Sequence, residues 1–398
     1  MKKVIVPGKR INSIDALRGF ALFGILMFHC MEHFDLMYTP VLDSPFWQEV
    51  DTIVLDTITF LFAGKSYAIF SLLFGLSFFM QMDSQADKDV DFRFRFLWRL
   101  ALLLVLGYIN GLIYMGEFFV VYAILGVVLV PLFKVKTKWL AIIAGILFLQ
   151  IPEIISFVSL LSGNSLNEPS ATVVYMDKLY VESAETFING SFTDVLNFNL
   201  WKGQFAKLLW VWNSLRYPQL IGLFITGMLI GRYGIHKSED KMLKFSYKVL
   251  PYSIAVFVVF YSIYLLLPCM GVEGYALRVG NVLFKTYINL AMMLMYISGF
   301  MILYYRTNTR RILDKIAPVG RMSVTTYMTQ GFIGVPLFYG FGLNLAVEFS
   351  LLQCFLAGLV IYGIQIIFSN WWMKRYYYGP VEWLWRTATW FKRVPLKR

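Results

Sequence analysis

The sequence predicts an all-α protein, a polytopic integral membrane bundle of about ten transmembrane helices with both termini in the cytoplasm. Three observations support this fold class. Of 398 residues, 58% are hydrophobic and only 15% are charged, with a mean hydropathy of +0.63, whereas soluble domains carry about 25% charged residues. Apolar segments of about 20 residues, long enough to cross a bilayer, recur along the chain. Lys and Arg concentrate in alternate connecting segments.

The apolar segments define ten predicted spans, which cover residues 14–33, 55–81, 97–115, 118–133, 138–161, 208–231, 247–268, 282–305, 322–340 and 345–369. The first has no small-residue cleavage site, so we interpret it as a retained span and not as a signal peptide. Residues 50–81 could form one long broken helix or two short spans, and two spans would raise the total to eleven.

The positions of the basic residues favour ten crossings. If residues 50–81 cross once, 28 of the 36 Lys and Arg residues fall in inner segments, namely 1–13, 83–99, 134–138, 232–248, 306–321 and 370–398. The predicted outer loops hold Lys178, Lys202, Lys207 and Arg278. Because cytoplasmic loops collect Lys and Arg, the net charge of +12 indicates topology and not a nucleic-acid partner.

No linker, low-complexity tract or internal repeat divides the chain, so residues 1–398 are predicted to form a single transmembrane domain. Residues 162–207 form a long extracytoplasmic loop whose second half interleaves Trp, Phe and Lys. An anchor in the aromatic belt is favoured for it over a substrate lid. Residues 370–398 are predicted to be a cytoplasmic interfacial tail held to anionic lipid.

Arg18 and His29 in the first span are the strongest indication of function. Eleven residues make about three turns of an α-helix, so the two side chains share one face about 16 Å apart. Ionisable groups in a membrane span usually face a protein interior or a water-filled cavity. The pair therefore suits one elongated site, although Arg18 alone could equally be a snorkelling residue at the inner interface.

Other ionisable residues lie within or against spans, and each needs a partner or a polar cavity. They are Lys65, Arg216, Lys285, Asp15, Asp56, Glu153, Glu348 and, in a short outer turn, Glu117. A buried ion pair between Lys65 and Asp56 is as plausible as contact with a ligand. The sequence gives no partner for Arg216 or Lys285, which stay unassigned.

His29 has two readings, a hydrogen bond to a neighbouring helix or a catalytic base. Glu32 follows at a spacing of three and can pair with it, as Asp15 can with Arg18. His33 follows at a spacing of four and is predicted at the outer mouth. Two histidines are too few for a convincing zinc site, so no metal is expected.

The cysteines Cys30, Cys269 and Cys354 are widely spaced and form no CxxC motif. They indicate neither a disulfide framework nor a zinc site.

The segment IDALRGFALFGILMFH resembles the opening of the membrane acyltransferases called acyltransferase family three, whose signature is Arg, ten residues, then His. The remainder is more similar to the bacterial YeiB-like membrane family, in the stretches FAGKSYAIFSLLFGLSFF, GEFFVVYAILGVVLVP, VGRMSVTTYMTQ and YGPVEWLWR. YeiB-like proteins often carry Asn at the position of His29, so two signatures are combined here.

The resemblance implies a transmembrane acyltransferase that moves an acyl group from cytosolic acyl-CoA to an acceptor across the membrane. Relatives in the wider superfamily include the lysosomal enzyme that acetylates heparan sulfate glucosamine. The expected catalytic residues are His29 as general base, Arg18 and Glu32, with a covalent acyl-histidine as an alternative. Donor binding is assigned to Arg18, Lys65, Arg99 and Arg321, and acceptor binding to His33, Glu117 and Gln330.

The expected location is the bacterial cytoplasmic (inner) membrane. The expected partners are the bilayer, the acyl donor and an acceptor, which is a cell-envelope sugar, a glycolipid or a small molecule. No nucleic acid is expected, and a homodimer is left open. A small-solute transporter would use stranded charges equally well. A lipid-binding scaffold is a third reading, favoured by the aromatic content of 18%.

Overall fold

The computed structural model describes residues 11–36, 38, 40, 42–86, 91–162 and 169–398. Within them the chain is helical and contains no strand, only one isolated backbone bridge between Tyr376 and Lys397. The start of the predicted inner N-terminal segment, residues 1–10, and part of the predicted outer loop, residues 163–168, lie outside the described residues.

The described residues of the first half of the chain form ten helices, which are α1 (Asn12–Met31), α2 (Pro45–Phe62), α3 (Ser66–Ala86), α4 (Arg93–Ile113), α5 (Phe119–Gly126), α6 (Leu129–Leu132), α7 (Thr137–Phe148), α8 (Ile151–Leu161), α9 (Ala171–Asn189) and α10 (Phe192–Phe198). A π-helical turn at Asn199–Gly203 leads into the second half. The second half forms α11 (Gln204–Asn213), α12 (Arg216–Arg232), α13 (Glu239–Leu266), α14 (Gly274–Arg306), α15 (Arg310–Leu313), α16 (Ala317–Arg321), α17 (Ser323–Phe338), α18 (Leu345–Glu348), α19 (Leu351–Arg375) and α20 (Pro380–Trp390).

Seven helical stretches in the described part of the chain are long and apolar enough to cross a membrane. They are α1, α2 with α3, α4, α7 with α8, α13, α14 and α19. The other three predicted spans correspond to shorter helices, namely α5 with α6, α12 and α17. The predicted fold class, an all-α polytopic membrane protein, is therefore confirmed.

Segments predicted to lie on one side of the membrane contact each other. On the predicted inner side, Arg321 lies 3.4 Å from the carboxylate of Asp15. On the predicted outer side, the Tyr339 hydroxyl donates a hydrogen bond of 2.8 Å to the carbonyl of Phe34. These contacts agree with the alternation of ten crossings.

The ambiguous stretch at residues 50–81 is one broken helix. Asp51 of α2 accepts hydrogen bonds from the backbone N–H groups of Leu351 and Leu352, at the start of α19. Further along, Ser77 of α3 accepts a hydrogen bond from Arg18, which lies near the start of α1 on the predicted inner side. Together α2 and α3 therefore run from the predicted outer side to the predicted inner side, in a single crossing.

Helices α3 and α12 pack at very close range because each presents a glycine to the other. A Cβ atom on Gly75 would collide with the carbonyl oxygen of Phe224, and one on Gly227 would collide with that of Leu72. Small residues at such crossings let backbones approach within a membrane, where apolar burial alone does not hold helices together. This contact fixes α12 against α3.

We expect Gly75→Ala to destabilise the protein by about 1–3 kcal/mol, because a backbone carbonyl cannot move aside without separating the helices. The matched control is Gly299→Ala on α14, where an added Cβ meets nothing within 4 Å. That control should be neutral or slightly stabilising, since alanine favours helix over glycine. Thermal unfolding of both variants in detergent measures the difference, and equal midpoints would contradict the packing described.

Candidate functional site

A cavity of about 1130 Å³ lies among the helices in the predicted outer half of the bundle. Its wall comes from α1, the α2–α3 break, the α4–α5 loop, α8, α9, α11, α12 and α14. The ionisable side chains in this wall are His29, Glu32, Asp35, Glu153, Asp177, Lys207, Arg216, Arg278 and Lys285, with Tyr67, Tyr114, Tyr122, Tyr180, Tyr275 and Tyr327. Such a concave, mostly apolar space with a few polar groups is typical of a ligand site.

Three interruptions of helices surround the cavity. Gly64 between α2 and α3 has φ of 80°, Gln150 between α7 and α8 has 49°, and Leu215 between α11 and α12 has 47°. A bulky residue such as leucine rarely adopts positive φ. Irregular backbone at membrane depth is tolerated where it is buried in protein or lines a cavity. The breaks start α8 and α12 beside the cavity.

One face of α1 lines the cavity with Gly24, Ile25, Phe28, His29 and Glu32. These positions recur at the spacing of three to four residues that places side chains on one side of a helix. The predicted orientation of His29 towards a polar cavity therefore agrees with the structure.

His29 is held by Tyr114 and lies close to Glu32. The Tyr114 hydroxyl is 2.7 Å from Nδ1 of His29 and 3.2 Å from Nε2. A carboxylate oxygen of Glu32 is 3.9 Å from Nδ1, as the spacing of three predicts. The tyrosine fixes the ring, and the carboxylate is placed to stabilise a positive charge on it.

A strained turn follows α1 and directs Asp35 into the cavity. His33, Phe34 and Asp35 have φ values of 48°, 57° and 73°. Three successive non-glycine residues in this region are unfavourable, at about 1–3 kcal/mol each, and persist only where surrounding contacts impose them. The Phe34 N–H donates to the carbonyl of His29 at 2.8 Å, and the Phe34 carbonyl accepts from Tyr339.

Two carboxyl groups near the predicted outer end of α1 are buried, Asp35 in the turn after α1 and Glu117 in the loop between α4 and α5. Burial raises the pKa of Asp35 to about 7. Glu117 accepts hydrogen bonds from the N–H groups of Phe119 and Val120, at 2.5 and 3.2 Å, and lies 4.0 Å from Lys207. Burial raises the pKa of Glu117 to about 7 and lowers the pKa of Lys207, because loss of water outweighs their mutual attraction.

The predicted donor residues Arg18 and Arg321 lie together, but away from this cavity. Arg18 donates to Asp15 and Ser77, each at 2.7 Å, and Arg321 lies 3.4 Å from the same Asp15. Neither lines the cavity that holds His29. In the described residues, the predicted elongated site is thus divided, because His29 lines the cavity and Arg18 does not. The guanidinium of Arg18 is hydrogen-bonded to Asp15 and Ser77 instead.

Two other predicted donor residues lie elsewhere. The Arg99 guanidinium stacks 4.2 Å from the ring centre of Trp385, which joins α4 to α20. Lys65 is buried beside the helix break, with its Nζ atom 3.5 Å from the carbonyl of Thr59, and it does not line the cavity. The alternative of an ion pair with Asp56 is not formed in the described residues, because Asp56 is exposed.

The structure places the predicted acceptor residues outside the cavity wall. His33 is buried, not at the outer mouth, and its Nε2 atom lies 3.1 Å from the sulfur of Cys354. Gln330 is also buried and donates to the side chain of Gln365 at 3.2 Å, which ties α17 to α19. Glu117 caps the start of α5 and does not line the cavity. Side-chain hydrogen bonding within the bundle accounts for all three.

The predicted outer loop forms part of the cavity wall. Helix α9 contributes Val173, Met176, Asp177 and Tyr180, which recur at helical spacing on one face. Asp177 pairs with Arg278 of α14 at 3.5 Å. The favoured interpretation of this loop as a belt anchor is therefore incomplete, because its helix encloses the site.

Several cavity residues escaped assignment from the sequence. Tyr114 gives no signal, since a tyrosine in an outer turn is ordinary, and Asp35 stands out only as an oxygen that could join the two histidines at a metal. Glu153, Arg216 and Lys285 were recognised as charges within spans, but their common location depends on helices far apart in sequence.

Comparisons with known families cover both halves of the chain. Residues 10–178 match the family model described as heparan-alpha-glucosaminide N-acetyltransferase, catalytic, which indicates a membrane acetyltransferase-like function. Residues 230–392 match the model described as protein of unknown function (DUF418). The first match includes His29 and Tyr114, whereas Arg216 lies in neither.

Similar proteins extend over the full chain. YxaH of Bacillus subtilis (strain 168) is 26% identical, over 99% of this chain and 97% of the relative. The 39.9 kDa protein in the amylase 3′ region of Bacillus acidopullulyticus is 25% identical, over 98% and 97%. YeiB of Escherichia coli (strain K12) is 26% identical, over 96% of each chain. All three are described as uncharacterized, and no solved structure matches. The predicted likeness to YeiB-like proteins is confirmed.

The raised pKa of Asp35 predicts a pH dependence of stability. The unfolded aspartate loses its proton near pH 4, whereas the folded one keeps it up to about pH 7. Between these values the folded state binds more protons, so the free energy of unfolding falls as pH rises. We expect Asp35→Asn to lose less stability than the parent between about pH 5 and 7.5, measured by thermal unfolding in detergent. Glu185→Gln on the exposed face of α9 is the control, and equal slopes for all three proteins would refute the assignment.

Proposed function

We propose that this YeiB-like membrane protein is an acyltransferase that moves an acetyl or other short acyl group from acyl-CoA to an acceptor. The acceptor is a hydroxyl or amine of a cell-envelope sugar, a glycolipid or a small extracytoplasmic molecule. The observation that carries the proposal is the placement of His29 in the cavity wall, within the segment that matches an acetyltransferase catalytic model.

His29 acts as the general base in this proposal. The acceptor O–H or N–H gives its proton to Nε2, the imidazole nitrogen that lies farther from the Tyr114 hydroxyl. The acceptor atom then bonds to the thioester carbonyl carbon, the C–S bond breaks, and the departing thiolate takes the proton from the imidazolium. The base tautomer has Nδ1 protonated and donating to the Tyr114 oxygen, which is 2.7 Å away.

Glu32 stabilises the positively charged imidazolium form of His29. Its carboxylate, 3.9 Å from Nδ1 of His29, favours the imidazolium once the acceptor proton has been taken. Both groups line the cavity.

The donor binds at the predicted inner side in this scheme. Arg18 and Arg321 converge on Asp15 there, and a guanidinium can fork onto the oxygens of a phosphate. Arg18 lies six residues before Gly24, the first residue of α1 in the cavity wall, which is about 9 Å along the helix. The acyl-bearing arm of the donor has to reach His29, which lies eleven residues and about 16 Å from Arg18 along the helix.

The proposed location is the cytoplasmic membrane of a bacterium. Its support is the bacterial origin of the three relatives, together with the concentration of Lys and Arg in alternate segments.

We expect His29→Ala to abolish acyl transfer, with a loss of at least about 100-fold in kcat, because a positioned general base contributes 10²–10⁴. Tyr114→Phe should retain part of the activity, since the Tyr114 hydroxyl orients the His29 ring but does not exchange the acceptor proton. His236→Ala is the control, because His236 does not line the cavity. Purified protein, acetyl-CoA and an envelope extract as acceptor source provide the assay. Equal turnover by His29→Ala and the parent would remove His29 from the chemistry.

Arg18→Ala should raise KM for acyl-CoA with little change in kcat, because it removes a contact made before the reaction. Arg311→Ala, an exposed change on the predicted inner side, should leave KM unchanged. An unaltered KM in Arg18→Ala would mean that Arg18 only ties α1 to α3.

Transport is the second candidate, and the division between Arg18 and His29 favours it. A cavity with ionisable groups in its wall also suits a solute carrier. Reconstituted vesicles that accumulate a solute unmodified, with no acyl transfer by the same preparation, would decide for transport.

A further inference from the structure

A second group of polar residues lies in the same cavity, apart from the His29 contacts. Arg216 begins α12, Lys285 lies on α14, and Glu153 lies on the first turn of α8. We call the part of the wall formed by Glu153, Arg216, Lys285 and Asn289 the Arg216 lobe. Among the described residues, no hydrogen bond or ion pair joins any of the four to His29 or Tyr114.

Arg216 has a free hydrogen-bonding edge. Its Nη1 atom donates to the side chains of Gln219 and Thr286, both at 3.1 Å, which fixes the guanidinium plane. Its Nε atom is buried and has no hydrogen-bond partner. No carboxylate lies within 4.0 Å of Arg216 among the described residues. The edge formed by Nε and Nη2 is the one that binds carboxylate or phosphate oxygens in pairs.

Lys285 adds a second unpaired cation. It lies one residue before Thr286, which holds Arg216, and one helical turn before Asn289. Its ammonium lies 5.5 Å from the ring centre of Tyr264 and forms no ion pair in the described part of the chain. The buried Lys65 is close enough to interact with it electrostatically, and the repulsion makes both cations favour an anion.

Glu153 adds a hydrogen-bond acceptor to the Arg216 lobe. It is 3% exposed, and neither of its carboxylate oxygens has a hydrogen-bond partner. It is close enough to Arg216 to influence it electrostatically, yet too far for an ion pair. Buried acceptors without partners are costly and uncommon. Glu153 is therefore available to a donor group that enters the cavity.

The other cations in the cavity wall are already engaged. Arg278 pairs with Asp177 at 3.5 Å, and Lys207 lies 4.0 Å from Glu117 and donates to Gln204. Arg216 and Lys285 differ because no carboxylate neutralises them at close range.

We propose that Arg216 and Lys285 bind an oxyanion of the ligand, a phosphate or a carboxylate, while Glu153 accepts a hydrogen bond from a hydroxyl or amine beside it. This inference deepens the proposed function by restricting the acceptor to anionic molecules, and it rests on that function only in calling the ligand an acceptor. The chemistry is that of a sugar phosphate, a phospholipid headgroup or a hydroxy acid. Neutral sugars lack the anion that the lobe requires.

Binding to the purified full-length protein tests the lobe without any acyl-transfer assay. The probes are inorganic phosphate, glycerol 3-phosphate and lactate, measured by isothermal titration in detergent. We expect saturable binding, at least tenfold weaker in Arg216→Gln and Lys285→Met than in the parent. The matched control is Lys244→Met, which removes one exposed cation from α13 outside the cavity. Lys285 is exposed to the cavity, so its replacement should not prevent folding even if that of Arg216 does.

Glu153→Gln tests the second half of the inference. The parent should prefer glycerol 3-phosphate over inorganic phosphate, because only the former carries alcohol hydroxyls on a carbon chain beyond the phosphate group. The Glu153→Gln variant should lose that preference. Competition by phosphatidylglycerol nanodiscs, but not by phosphatidylcholine nanodiscs, would identify a lipid as the source of the anion. Competition by neither would identify a water-soluble ligand.

Two results would overturn the inference. One is the absence of saturable binding of all three probes to the parent protein. The other is equal affinity in Lys285→Met and Lys244→Met. His29→Ala should bind the probes as the parent does, so loss of acyl transfer and loss of oxyanion binding can be distinguished.

Discussion

Interrupting a helix within a membrane leaves backbone groups that lipid cannot hydrogen-bond, and this constraint explains where the cavity lies. The breaks at Gly64, Gln150 and Leu215 all occur beside it. Each break is sustainable because protein or an enclosed polar space meets the freed groups. In return, α8 and α12 begin at the cavity, which brings Glu153 and Arg216 to its wall. A bundle of uninterrupted helices would have kept these charges apart.

Helix α1 connects the two regions that acyl transfer would require. Its outer half carries His29 in the cavity, and its inner half carries Arg18 in a cluster with Asp15 and Arg321. The intervening turns pack against neighbouring helices. The structure therefore separates the two polar ends that the spacing of eleven residues predicts to serve one elongated site.

Much of the fold follows from the sequence, because bilayer thickness and the bias of Lys and Arg constrain every span. The broken helix over residues 50–81 was one of two alternatives, decided by charge. The site was less accessible to prediction. His29 and Glu32 are neighbours on one helix, so their spacing reveals them. Tyr114 reaches His29 from the loop between α4 and α5, and no local pattern encodes that contact. His33 and Gln330 carry the right chemistry for a ligand, but tertiary packing gives them partners within the protein.

The turn after α1 is joined to the cavity's outer wall through one short segment. Tyr339 holds the carbonyl of Phe34 and stacks on Phe187 of α9, with ring centres 4.7 Å apart. The next residue, Gly340, donates its N–H to the carbonyl of Phe187 at 2.9 Å. Any outward swing of α9 that admits a large molecule must pull on this clasp and, through it, on the backbone that carries Asp35. Admission of a large molecule to the cavity is therefore coupled mechanically to the position of the Asp35 carboxyl group.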